Sequence, residues 1–204
     1  MEGIINIAGV MPRIGTTTAA LQLTAFLGRF GYKAAYLEAN KQDYIWSCQS
    51  MYESFKKDKE EDGKAACEGI DLYQASWMEQ LTEGGTHYDY LVCDHGNITN
   101  PDFNRKAFLN CSATVLVGGM KANEVFQTED ALREEDYNKS IWLYNFIRKE
   151  DEKEILTLMG EKAKFTSFLP YMPDPFLTEN DTKEIDGYFK RTMSAIKYRI
   201  DRRE

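Results

Sequence analysis

The residues best suited to chemistry gather in one short segment, Val10-Met-Pro-Arg-Ile-Gly-Thr-Thr-Thr18. An apolar run precedes it and a helical pattern follows, so its glycine and hydroxyls stand where a strand-to-helix loop offers free backbone N–H groups to an anion. Set against the phosphate-loop pattern G-x-x-x-x-G-K-[ST], only Gly15 and Thr17 match. Val10 replaces the first glycine and Thr16 replaces the lysine. That lysine carries the fixed positive charge that meets the phosphates, whereas threonine offers a neutral hydrogen bond. Arg13 is the one cation left in the loop; its guanidinium could contact phosphate oxygens in two places, or face solvent, or pair with a nearby acid. Thr16, Thr17 and Thr18 could equally satisfy the free N–H groups of their own helix start.

Alternating apolar runs and helical patterns must position this loop. Gly3–Gly9 reads as a buried strand, too brief for a helix. From Thr17, Leu23, Phe26, Leu27 and Phe30 recur at helical spacing, and Gly31 is placed to end the helix. Lys33–Glu38 reads as a second strand, completing a strand-helix-strand unit. Tyr88–Asp94, Ala113–Gly118, Ile141–Ile147 and Phe165–Pro170 are further strands, and residues from Glu184 to Arg203 a closing helix. The predicted fold class is therefore α/β: three layers, with a mostly parallel sheet covered by helices on both faces. The charged stretch Lys56–Lys64 reads as a solvated helix end or mobile loop.

The chain has 204 residues, which predicts one domain over 1–204. Lys+Arg 25 against Asp+Glu 33 gives a formal charge of −8, so no global electrostatic drive towards nucleic acid exists and no nucleic-acid partner is expected. The charge-free stretches Ile14–Gly28 and Ala107–Met120 are shorter than the roughly 18 to 20 apolar residues of a membrane span. With no leader pattern at the start, a cytoplasmic protein is expected. Cys48, Cys67, Cys93 and Cys111 form no CxxC pair and read as reduced structural thiols.

The order of these pieces resembles the MinD/ParA group of deviant Walker ATPases, in particular its TadZ/CpaE-like branch. The residues that carry the resemblance are Ile14-Gly15-Thr16-Thr17-Thr18, Tyr36-Leu-Glu-Ala-Asn40, Tyr88-Asp-Tyr-Leu-Val-Cys-Asp94-His-Gly96, Tyr144-Asn145 and Leu169-Pro170-Tyr-Met-Pro-Asp174. The resemblance implies a P-loop NTPase fold of the SIMIBI type and ATP or ADP with Mg²⁺ as cofactors. It implies Thr17 and Asp94 as metal ligands, Asp94 as the switch-region and catalytic carboxylate, Asn145 as the base reader and Pro170 in the adenine-side loop. It also implies a homodimer. The group's signature lysine falls at Met11, so both of its phosphate cations are gone, and Glu38 stands where an aspartate usually ends the second strand.

The leading functional expectation is a MinD/ParA-like nucleotide-binding or pseudo-ATPase scaffold for positioning, pilus assembly, secretion or conjugation, with protein partners from such a system. An active ATP-hydrolysing switch is the alternative, and a dethiobiotin-synthetase-like enzyme a more distant one. Asn145 could instead be a polar strand end. Glu38 and Asn40 could position a water or a metal, or mark a strand re-entering solvent; His95 draws attention only by following Asp94, and His87 sits in a turn. The C-terminal segment places Phe189, Met193, Ile196 and Ile200 on one face among Lys190, Arg191, Lys197 and Arg199. That pattern fits either a helix packed on the sheet or peripheral contact with the inner face of an anionic membrane.

Overall fold

The apolar opening run becomes β1 (Gly3–Gly9), whose Ile5, Ile7 and Ala8 are wholly buried because it lies in the interior of the sheet. The computed structural model describes residues 1–83, 87–174, 176 and 182–202. The other strands are β2 (Ala34–Glu38), β3 (Lys56–Lys57), β4 (Lys64–Cys67), β5 (Ile70–Gln74), β6 (Tyr90–Asn97), β7 (Ala113–Gly118), β8 (Ile141–Asn145) and β9 (Thr166–Leu169). They form one sheet in the order β3-β4-β5-β2-β6-β1-β7-β8-β9. From β5 to β9 every pairing is parallel, and β3 and β4 add an antiparallel extension beyond β5.

The helices are α1 (Thr16–Arg29), α2 (Tyr44–Ser47), α3 (Met78–Glu83), α4 (Arg105–Leu109), α5 (Ala122–Arg133), α6 (Glu152–Met159) and α7 (Thr182–Ile200). Strand alternation divides them between the faces. Ala35 and Leu37 of β2 pack with Leu81 of α3, together with Leu91 and Cys93 of β6. Tyr36 points the other way, where its hydroxyl meets Asp94 on the side of α1. On the far face Asn6 of β1 donates to the carbonyls of Ala107 and Phe108, fixing the end of α4.

The stretch Lys56–Lys64 is neither a helix end nor a free loop. It supplies β3, the start of β4 and the turn between them, in which Asp58 accepts the N–H groups of Glu60 and Glu61. Lysines on so short an edge strand remain solvated and discourage pairing with another chain, which hides the strand from an apolar-pattern reading. β5 was not expected either. The closing helix covers Thr182–Ile200; Arg203 lies outside the described residues. Phe189, Met193 and Ile196 are buried against the sheet, so the apolar stripe of α7 serves the core. None of the four cysteines is in a disulfide. Among the described residues no helix is long and apolar enough to cross a membrane.

Candidate functional site

The loop from Val10 to Gly15 leaves the carboxyl end of β1, where β6 and β2 lie to one side and β7 to the other. Open parallel sheets bind ligands in this crevice. Gly15 is the N-cap of α1 at φ 87°, a left-handed conformation that suits glycine, and a Cβ there would fall 2.2 Å from the Asn145 amide nitrogen. No side chain caps the helix, and the N–H groups of Thr16, Thr17 and Thr18 have no acceptor among the described residues. The threonines therefore do not satisfy their own helix start, and the positive end of α1 stays open to an anion.

Above it is a cavity of about 430 Å³ lined by the loop, the first turn of α1, Gln42, Tyr44, Gly96, Asn97 and Phe146. Among the described residues Arg13 is the only charged one in that lining. It is exposed and in no ion pair among the described residues. Thr16 is turned inward, its hydroxyl close enough to Gly9 that a Cβ on that glycine would lie 2.4 Å away. Met11 is half-buried at the crest of the loop and accepts from the Asn123 amide at 3.7 Å; Pro12 is exposed beside it.

Beneath the cavity Asp94 is fully buried and holds three donors. Thr17 donates its hydroxyl at 2.6 Å and Tyr36 at 3.0 Å to one carboxylate oxygen, and the Gly96 N–H donates at 2.8 Å to the other. Burial pushes the Asp94 carboxyl up, while these three hydrogen bonds pull it back; Tyr36 is raised well above its ordinary value, chiefly by burial. A hydroxyl beside a carboxylate, with no softer ligand, is the donor set a hard cation such as Mg²⁺ selects. The structure thus places Thr17 and Asp94 in direct contact.

Glu38 takes a different part. Its carboxylate accepts the N–H groups of Tyr44 and Ile45 at the start of α2, and burial, with the neighbouring charge of Asp94, raises its pKa from 4.5 to about 7. Asn40 donates to the Asp94 carbonyl and accepts from the Gln42 N–H, so it ties the end of β2 to β6. His95, the next residue along β6, necessarily faces away from Asp94. It packs edge-on against Phe108 at 5.5 Å, and burial lowers its pKa to about 4. His87 is exposed before β6.

Asn145 ends β8 behind the loop. Its amide nitrogen donates to the Ile14 carbonyl at 2.9 Å and its oxygen accepts the Phe146 N–H, so the carboxamide is engaged in bracing the loop. Pro170 follows β9 and is half-buried outside the cavity lining. Sequence reasoning missed Phe146. It is exposed, held at φ 60°, and stacked with the exposed Tyr171 at 6.1 Å between ring centres. A bulky residue in the left-handed region costs about 1 to 2 kcal/mol. Arg13, also in the lining, shares that conformation, as does Asp43 between the lining residues Gln42 and Tyr44.

No family model matches the sequence, and no curated protein does. Solved structures do. A plasmid partition protein of Borrelia burgdorferi bound to AMPPNP matches at TM-score 0.64 and 13% identity, over 97% of this chain and 98% of that one. The MinC:MinD cell division complex of Aquifex aeolicus matches at TM-score 0.61 and 16% identity, over 96% and 93%. A ParA family ATPase of Chlorobium tepidum matches at 0.58 and 10%, over 98% and 99%. The chain has the MinD/ParA P-loop fold. At these identities the likeness is one of architecture, and in this fold the loop Val10–Thr18 occupies the turn between β1 and α1.

Proposed function

We propose that the chain is a MinD/ParA-like, nucleotide-responsive scaffold that binds Mg-ATP or Mg-ADP and turns ATP over slowly or not at all. One observation carries this reading: a phosphate-loop cavity is built, with an open helix start and a Thr17–Asp94 pair beneath it, yet among the described residues Arg13 is its only lining cation and Thr16 stands where a lysine would. The residues fit the absent groups. Glycine at 15 allows the loop to hug Asn145, the three threonine N–H groups suit phosphate oxygens, and Thr17 with Asp94 would hold the metal. When bound, Mg²⁺ supplies neutralisation of phosphate charge. Arg13 would add one charge-assisted contact from the loop crest, and Phe146 a face for the base to stack on.

Missing cations weaken the transition state more than the ground state, because charge on the transferred phosphoryl group spreads as the bond breaks. A loop that retains its donors and lacks its lysine is therefore expected to bind better than it hydrolyses. This separates the scaffold from an active switch, and from a dethiobiotin-synthetase-like enzyme, which also depends on the phosphate cation.

As a scaffold, the protein would act through dimerisation and partner proteins of a positioning, pilus-assembly, secretion or conjugation system, in keeping with a TadZ/CpaE-like assignment and a single unit over 1–204. Met11 and Pro12 would make the crest of the dimer face apolar. Peripheral membrane contact through α7 would rest on its exposed bases alone, since the apolar stripe is buried. Calorimetric titration with Mg-ATP and Mg-ADP tests the proposal: saturable binding of either, lost in Asp94→Ala, supports it, and no heat with either removes it.

A further inference from the structure

At the amino end of β7, on the side of the sheet remote from Gly15, the end of α7 and the turn before β8 border a second cavity, of about 360 Å³. Lys139, Arg199 and Arg202 line it. None of the three is in an ion pair among the described residues. Among the described residues the one acid in the lining, Asp136, is already paired with Arg105 at 3.1 Å.

Arg199 is the informative member. Its guanidinium lies 3.7 Å from the centre of the Phe165 ring, which fixes its plane, and its Nε is buried without a partner. Leaving that one buried N–H without an acceptor is unfavourable. This chain carries a formal charge of −8, yet among the described residues the acid in that lining, Asp136, is committed to Arg105. Ser112, also in the lining, accepts the Ile4 N–H at 3.0 Å and keeps its own proton for another acceptor.

We propose that this cavity binds a phosphomonoester group, its dianion held by Lys139, Arg199 and Arg202 with the Ser112 hydroxyl as a neutral donor. A dianion with three terminal oxygens matches three cations lining one cavity better than a carboxylate does, and a planar guanidinium is suited to bidentate contact with it. The site uses no residue of the phosphate loop, so it stands or falls independently of nucleotide binding.

The group could belong to a soluble metabolite or to a lipid headgroup, and two arms separate these. Glycerol 3-phosphate is titrated into the full chain by calorimetry, and flotation is measured with phosphatidylcholine vesicles containing phosphatidic acid. Saturable binding in either arm is expected, weakened about tenfold or more in Lys139→Gln/Arg202→Gln, whose two positions are exposed, and unchanged in Arg13→Ala. Arg199→Gln should weaken it similarly. Binding to vesicles alone supports the site with the headgroup as its source. The proposal is overturned if the parent binds in neither arm, if the double variant binds like the parent, or if the loss follows Arg13→Ala instead.

Discussion

Replacing Glu38 by glutamine removes a carboxyl group that the fold prefers to keep protonated. Its pKa rises from 4.5 to about 7 on folding, so between those values the folded chain holds a proton that the unfolded chain has released. The stability it contributes is complete below pH 4.5 and is lost as pH rises through 7. His95 runs in the opposite sense. Burial lowers its pKa from 6.5 to about 4, so the folded state stays neutral where the unfolded state is charged, and stability is complete above pH 6.5 and lost as pH falls through 4. Each interval integrates to about 3 kcal/mol at about 1.4 kcal/mol per pH unit. The two slopes oppose each other in the parent, leaving from pH 4.5 to 6.5 chiefly the fall that the raised Asp94 adds at the acid end. Glu38→Gln should uncover the histidine, with stability rising by about 2 to 3 kcal/mol across that window. His95→Asn should uncover the carboxyls, Asp94 adding to the fall at the acid end because its pKa is also raised. Losing one cap bond to α2 lowers stability at every pH and leaves the slope alone, so urea unfolding at half-unit pH steps reads the right quantity. A Glu38→Gln variant with the slope of its parent would refute the reasoning.

Arg13→Ala should weaken Mg-ADP binding by about 1.5 to 3 kcal/mol and Thr16→Lys should strengthen it by a similar amount, as calorimetry will show; equal affinities in all three proteins would make Arg13 ordinary surface. Phe146→Ala should cost about 1 to 3 kcal/mol in binding of ADP but little in binding of pyrophosphate, since base stacking is what it removes. If both ligands lose equally, Phe146 acts on the loop. The parent should sediment as a dimer at micromolar concentrations and Met11→Lys as a monomer, because the exchange puts a charge on an apolar crest; a monomeric parent, or a variant that dimerises as well, takes Met11 out of the dimer face.

Six of the seven parallel strands were legible because they carry short apolar runs, as in β7, and helical spacing from Leu23 to Phe30 marks α1. The edge was not, because strands that carry Lys56, Lys57 and Lys64 look like solvated loop. Thr17 could be named from its match to the phosphate-loop pattern, Asp94 only through the resemblance to a known family. That His95 turns its back on Asp94 was available from the two-residue period of a strand. The parts Asn145 and Phe146 play were hidden, since an amide spent on the Ile14 carbonyl and a phenylalanine held at φ 60° arise from tertiary contacts no local pattern records.

The most direct test of the central claim is steady-state ATP hydrolysis by the parent, with Thr16→Lys and Asp94→Ala measured beside it. The missing cation commonly costs a hundredfold or more in rate, so the account predicts turnover far below about one per second in the parent and a marked rise in Thr16→Lys. Parent turnover of about one per second or faster, abolished by Asp94→Ala, would contradict it.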